Sequence, residues 1–281
     1  MWFTEDYTPN VKFSIKIREK LVDLKSQYQT IAVYDTHDFG RVLVIDGYLM
    51  LTEKDEFIYH EMITHVSMAV NPSIKDVLVV GAGDGGTVRE LTRYQTIERI
   101  DMVEIDRQVV EVCRKYLPQT AGKLDDPRVR LFFMDGVQFA ADKAGEYDLI
   151  IVDSTDPLGP GEGLFTRSFY ADCHRALKDQ GILANQIGGP YYPDDIQAVQ
   201  NAYRKIKSVF PVARVYQANI PTYASGHWLF GFASKGLDPV QDLKADVWNS
   251  LGLHTQYYNT KLHLGGFALP NYVKQLLEAG E

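Results

Sequence analysis

The sequence predicts an α/β protein: a doubly wound, mostly parallel sheet with an antiparallel edge, preceded by a small β-stranded domain. Three observations carry this. Apolar strand-like runs alternate with stretches of helical period from Asp76 onward, a glycine loop follows the first such run, and the first fifty residues instead alternate at period two.

Taken in order, KFSIKI places Phe13, Ile15 and Ile17 on one face of a strand. TIAVYDTHDFGRVLVIDGYLMLT reads as further strands broken at Asp38-Phe39-Gly40 and Asp46-Gly47, both turn signals. From Asp55 the period changes: Ile58, Met62, Val66 and Ala69 recur at helical spacing up to Asn71-Pro72. This sets expected domains at 1–54 and 55–281. DVLVVGAGDGG is then a strand and loop, TVRELTRY a helix, IERIDMVEID a strand and RQVVEVCRKYL a helix. VRLFFMDG, DLIIVDS and GILANQ supply three more strands, and ARVYQANIP with HWLFGFASK an antiparallel pair at the edge. The last forty residues read as mixed helix and loop.

The bulk composition narrows the function. At 281 residues, 45% apolar and 23% charged, the chain is an ordinary packed protein. Its net charge of -8, with no basic run interleaved with aromatics, argues against a nucleic-acid groove and suits a cationic small molecule. Cys113 and Cys173 sit in stretches of helical period, as free buried thiols of a reducing compartment do. MWFTEDYTPN has no basic region followed by an apolar run, and no stretch is long enough to span a bilayer, so a cytoplasmic protein is expected.

Gly81-Ala82-Gly83-Asp84-Gly85-Gly86 fits the glycine pattern of a nucleotide-binding strand–helix turn, and Glu104 follows at the end of the next strand, where an acid grips ribose hydroxyls. A plain tight turn is the competing reading. Asp84 argues against a dinucleotide, because a like-charge pair at 4 Å costs about 1 kcal/mol in water and about 4 in a partly buried site. The carboxylate of ordinary S-adenosylmethionine meets the same repulsion. A nucleoside with a cationic tail does not.

Asp135-Gly136 closes the third strand of the parallel sheet, at the carboxyl edge, where an Asp can accept from an adenine amine or simply form a turn. Asp153 and Asp156 follow the four apolar residues Leu149 to Val152 at the same edge, and bare acids there are costly unless a cation meets them. A polycationic ligand explains three converging acids; carboxylates holding Mg²⁺ are the rival explanation. His60-Glu61 with His65 is not a zinc helix, because the second His falls one residue late, about 100° further round. His60, beside Tyr59, faces the crevice or is a satisfied helix histidine.

Together EKDEFIYHEM (53–62), GAGDGG (81–86), VEID (103–106), MDG (134–136), DSTDPLGP (153–160), IPTYASG (220–226), YYN and FALP resemble the spermidine synthase family of aminopropyltransferases over nearly the whole chain. The resemblance implies a Rossmann-like, methyltransferase-type fold with a β-stranded N-terminal domain, assembled as a homodimer or homotetramer. It implies transfer of the aminopropyl group of decarboxylated S-adenosylmethionine to putrescine, giving spermidine and methylthioadenosine, with no cofactor and no metal. By motif, Gln29, Gly81 and Gly83 should contact the nucleoside donor, Glu104 the ribose, and Asp135, Gly136 and Pro160 the adenine. Asp84 should bind the donor amine, Tyr59, His60, Asp156 and Tyr223 should line the diamine channel, and Asp153 should accept the proton, with Tyr223 in the relay.

Freeing the lone pair of an alkylammonium at pH 7 costs about 4.6 kcal/mol, more than an ordinary Asp can recover by taking its proton. Alignment of nitrogen, carbon and sulfonium, worth roughly 7–11 kcal/mol, should therefore carry much of the catalysis. A loop at Gly159–Gly163 is expected to close over the substrates. Ala82 stands where many members have Gly, and its methyl is acceptable if the backbone angles are ordinary. Gln186 to Pro190 and His263 to Gly266 also depart from the family pattern. Competing functions are the same transfer to agmatine, cadaverine or a longer polyamine, a diamine N-methyltransferase, and a polyamine sensor without turnover.

Overall fold

The N-terminal alternation folds into one five-stranded antiparallel sheet, with β1 (Trp2–Thr8), β2 (Val11–Lys25), β3 (Thr30–Thr36), β4 (Arg41–Ile45) and β5 (Tyr48–Thr52) in that order. The computed structural model describes residues 1–155 and 159–279. The Asp46-Gly47 signal is a two-residue hairpin turn, with φ of 50° and 85°, which matches the twist of the strands it joins. β4 is buried on both faces. Val42 and Val44 pack with Phe3, Ile15, Ile17 and Leu49, whereas Leu43 and Ile45 join Ile31, Val33 and Leu51 in the core of the rest of the molecule. The small sheet is therefore welded to its neighbour through a shared apolar layer.

The second sheet has seven strands: β6 (Asp76–Gly81), β7 (Arg99–Val103), β8 (Val129–Phe132), β9 (Tyr147–Asp153), β10 (Leu177–Gly188), β11 (Val212–Asn219) and β12 (His227–Ser234), in the order β11-β12-β10-β9-β6-β7-β8. β10, β9, β6, β7 and β8 are parallel, and β12 and β11 add an antiparallel edge, as the sequence predicts. Val77 to Val80 and Leu149 to Val152 are buried on both faces, which explains their unbroken apolar runs. From β6 the chain winds one way through β7 and β8, then returns to β9 and β10 on the other side. That reversal opens a crevice at the carboxyl ends of β6 and β9, where open α/β sheets bind ligands.

The helices are α1 (Glu56–Val70), α2 (Gly86–Leu91), α3 (Arg107–Tyr116), α4 (Pro118–Ala121), α5 (Gly136–Ala141), α6 (Arg167–Ala176), α7 (Pro193–Lys207), α8 (Ala245–Ser250), α9 (Thr260–Phe267) and α10 (Asn271–Ala279). None of these is long and apolar enough to cross a membrane. α1 is buried on every side, Phe57 apart. One side presents Tyr59 and His60 to the crevice. The other presents Glu61, whose carboxylate accepts the backbone N–H groups of Gln256, Tyr257 and Tyr258 at 2.8 Å each, and His65, which meets Glu90 and Tyr94. The two histidines thus serve separate clusters.

Ala82 corrects one expectation. Its φ is +61°, so the residue is left-handed, and its N–H donates to the Asp153 carbonyl at 2.7 Å while its own carbonyl accepts from Gly85. The methyl is accommodated at a cost of about 1–2 kcal/mol, because these two bonds fix the turn that joins β6 to β9. Ala82→Gly should relieve that strain and lose a similar amount to unfolded-chain entropy, leaving stability within about 1 kcal/mol of the parent by urea unfolding. Ala82→Val, β-branched and left-handed, should lose more than about 2 kcal/mol in the same measurement.

Candidate active site

Sequence places Asp153 at the last position of β9, a buried strand, and the fold surrounds its carboxylate with donors. Tyr59 on α1 donates its O–H to Oδ1 at 2.7 Å, and Thr87 in the first turn of α2 donates to Oδ2 at 2.6 Å. Burial raises the Asp153 carboxyl above the ordinary range, the Asp84 carboxylate adds to this, and His60, Thr87 and Tyr59 oppose it. The result is a stronger base than a free aspartate, fixed in two places.

His60 is the resident cation of this crevice. Its Nδ1 meets Glu56 Oε2 at 2.5 Å and its Nε2 meets Asp84 Oδ1 at 3.1 Å. Burial alone would lower its pKa, but Asp84 and Glu56 raise it to about 10, so the ring is an imidazolium at neutral pH. Arg89 completes the series by donating to both oxygens of Glu56, at 2.7 and 3.0 Å. Arg89, Glu56, His60 and Asp84 therefore alternate in sign from the periphery to the pocket. The glycine loop permits this: a Cβ on Gly86 would lie 2.2 Å from His60 Cε1. Asp84 accepts from the Gly86 N–H as well, and its carboxyl is lowered despite burial by His60, that N–H and Arg89.

His60, Asp84 and Asp153 bring possible ligand atoms within 4.8 Å of one another, a spacing that would admit a metal ion. Both ring nitrogens of His60 already face carboxylates, so a metal there would have to displace one of those contacts.

The residues expected to meet a nucleoside lie mainly across β6 and β7. Glu104, at the end of β7, accepts the Asp106 N–H at 2.8 Å, and its Oε2 is 3.1 Å from where a Cβ on Gly83 would stand. Burial raises its pKa to about 7; the Asp106 N–H pulls it down, and the Asp106, Asp84 and Asp153 carboxylates push it up. Asp135 caps α5 by accepting the Val137 N–H at 2.8 Å, so it acts as a helix cap at the pocket's edge rather than as an isolated turn. Gly136 packs so tightly that a Cβ would be 2.4 Å from Val80 Cγ1. Gln29 reaches in from the N-terminal sheet and donates to Asp106 Oδ2 at 3.1 Å, an oxygen that also accepts the Ser26 hydroxyl at 2.6 Å.

One pocket gathers Gln29, Tyr59, His60, Gly81, Gly83, Asp84, Glu104, Asp135, Gly136, Asp153 and Tyr223. Asp156 lies outside the described residues, and nothing is described of the Pro160 side chain. Residues 159–165, where a closing loop was expected, form a 3₁₀ turn whose Gly161 and Leu164 also line the pocket. The tyrosine on Asp153 is Tyr59. Tyr223 lines the same pocket, with its ring 6.4 Å from that of Tyr59, and donates its hydroxyl to the Met50 carbonyl at 2.9 Å.

Sequence reasoning missed Glu56, Thr87, Arg89 and Asp106, along with Glu5, Tyr7 and Trp228 in the pocket wall. Asp106 carried a readable signal, an Asp directly before a helical run, and it does cap α3 through the Gln108 N–H. Arg89 and Glu56 are thirty-three positions apart in ordinary helical sequence, where nothing marks their meeting.

A doubly wound sheet whose switch-point crevice is lined by Asp84, Glu104 and Asp153 has the architecture of a small-molecule-binding α/β enzyme. The chain matches the model of the spermine/spermidine synthase domain over residues 56–244 and that of the spermidine synthase tetramerisation domain over residues 1–53. It belongs to the spermine/spermidine synthase family. A polyamine aminopropyltransferase of Alkaliphilus oremlandii is 61% identical over 281 residues, covering 100% of this chain and 99% of the relative. One from Clostridium perfringens is 64% identical over 280 residues, covering 99% and 98%. A crystal structure of spermidine synthase in complex with the transition-state analogue AdoDATO superposes with a TM-score of 0.97 at 41% identity, covering 99% of this chain and 95% of the other. Spermidine synthase from Thermotoga maritima gives 0.95 at 41% identity, covering 99% and 94%.

Two measurements check this electrostatic picture. Glu56→Gln should strip His60 of one acid, cost about 3 kcal/mol or more in urea unfolding, and lower the His60 pKa from about 10 as followed by NMR. The parent's His60 contribution is fully present below pH 6.5 and lost as pH rises through about 10. For Glu104, the expected ribose acceptor, raised to about 7, the carboxylate is lost as pH falls through 7. Methylthioadenosine affinity by calorimetry should therefore weaken toward pH 6, by up to about tenfold per unit, and Glu104→Gln should flatten that dependence.

Proposed function

We propose that the protein transfers the aminopropyl group of decarboxylated S-adenosylmethionine to putrescine, releasing spermidine and methylthioadenosine. One observation carries this reading: a buried carboxylate of raised pKa, Asp153, is held by Tyr59 and Thr87 in a pocket that Asp84 and Glu104 also line. The relatives that bear the polyamine aminopropyltransferase name, and the neighbour crystallised with AdoDATO, support the same chemistry.

In this reading Glu104 and Gln29 hold the nucleoside, and Asp84, anchored by His60, receives the ammonium of the aminopropyl chain. That chain's terminal methylene, bound to the sulfonium, then faces the acceptor nitrogen. The nitrogen lone pair forms the new C–N bond as the C–S bond breaks, and the electron pair passes to sulfur, giving a neutral thioether. The acceptor nitrogen's proton goes to Asp153. Burial brings that carboxyl closer to the amine's pKa, so the transfer is less uphill than to a free aspartate. The engaged imidazole N–H groups of His60 offer nothing to the carboxylate of ordinary S-adenosylmethionine, which supports discrimination against it. The chemistry as written calls for no metal and no cofactor. We further propose a cytoplasmic homo-oligomer, in keeping with the tetramerisation-domain match.

Incubation with decarboxylated S-adenosylmethionine and, separately, putrescine, cadaverine, agmatine or spermidine, with methylthioadenosine read by mass spectrometry, tests the reading. Methylthioadenosine with putrescine as best acceptor supports it, another preferred amine changes the acceptor, and methylated amine from intact S-adenosylmethionine overturns it. Asp153→Asn should lower kcat by about 10²–10⁴ while methylthioadenosine still binds within about threefold of the parent. Near-normal turnover would remove Asp153 from the proton step.

A further inference from the structure

Asp195 is a half-buried acid that the chemistry above does not use. It lies in the first turn of α7, which follows β10 after the connection 189–192. In the strand order β10-β9-β6-β7, Glu104 marks the β7 side of the pocket and Asp153 its middle, and Gln186 at the end of β10 lines the opposite side. On that side the N-terminal sheet closes over the crevice. Phe3, Glu5 and Tyr7 share one face of β1, and Glu5 and Tyr7 line the pocket.

Tyr7 donates its hydroxyl to Asp195 Oδ2 at 2.6 Å and packs its ring on Tyr192, with centroids 5.0 Å apart. Asp195 Oδ2 also lies 3.3 Å from where a Cβ on Gly189 would stand, beside the Ser225 hydroxyl at 3.5 Å from the same point. β1, the β10–α7 connection and the loop bearing Tyr223 and Ala224 therefore meet at one wall. Burial raises the Asp195 carboxyl, the Tyr7 hydroxyl lowers it, and Asp194 raises it again. An arriving ammonium would stabilise such a carboxylate.

We propose that Tyr7 is the end stop of the amine channel: its ring limits the length of the acceptor, and its hydroxyl covers Asp195, a carboxylate able to take the additional ammonium of a longer amine. This rests on the acceptor reading above. A diamine bound at Asp153 presents one distal ammonium within the channel, whereas a triamine requires more length and a further acid. Tyr7 withholds both, so a single position sets the preference for a short acceptor.

The test compares the parent, Tyr7→Phe, Tyr7→Ala and the double variant Tyr7→Ala/Asp195→Asn, each with decarboxylated S-adenosylmethionine and either putrescine or spermidine. The kcat/KM ratio of spermidine to putrescine should rise about tenfold in Tyr7→Ala, as for one added partly buried ion pair. It should return to within about threefold of the parent in the double variant, and stay within about twofold in Tyr7→Phe, which keeps the ring. The donor KM and thermal midpoint report folding, and Tyr7→Leu, scored the same way, replaces Tyr7→Ala should that variant unfold. An unchanged ratio in a folded, donor-binding variant overturns the stop, and a rise that persists in the double variant overturns the role of Asp195. The parent's own acceptor profile tests the acceptor reading separately, because the stop is judged only by the change from parent to variant.

Discussion

A protonated histidine between two carboxylates is the interaction on which the site depends. Without it, Asp84 and Asp153 would face each other in a buried crevice with neutral donors and the more distant Arg89 as their partners within the protein, and the ligand-free protein would carry more of that repulsion. His60 relieves it permanently. The glycine loop must then be bare at Gly86 to admit the ring, α1 must pack beside α2 and against β9 and β10 to deliver it, and Glu56 and Arg89 must lie behind it to hold its proton.

The parallel strands were legible because burial on both faces leaves unbroken apolar runs, and the crevice followed from strand order alone. Asp84, Glu104 and Asp153 were legible as acids at strand ends, where nothing but a ligand or a charged neighbour explains them. The answer to what meets them is divided. The sequence argued for an incoming amine, and the structure adds a resident cation that pattern reading treated as a helix histidine beside the crevice. Long-range pairs such as Gln29 with Asp106, or Arg89 with Glu56, leave no local trace, because each residue is also an ordinary surface choice for its own element. The angles at Ala82 were invisible for a different reason: left-handed backbone is normally announced by glycine, and here two hydrogen bonds enforce it on an alanine.

The small N-terminal sheet is more than an appendage. It supplies Gln29 to one end of the pocket and Glu5 and Tyr7 to the other, and β4 gives one face to each apolar layer. Its separateness in sequence, where strand periodicity gives way to helix after Thr52, conceals how far its side chains reach into the larger unit.

α1 has almost no solvent face, and that sets a clock as well as a shape. A helix with one exposed side can fray or rock while the remainder of a protein stays folded. This one has Asp153 and Asp84 bonded to it on one flank and the C-terminal segment clamped to Glu61 on the other. Its inner amides reach water only when the whole unit opens, so their hydrogen exchange would report the free energy of global unfolding. The histidine–carboxylate arrangement that it carries therefore persists as long as the fold itself.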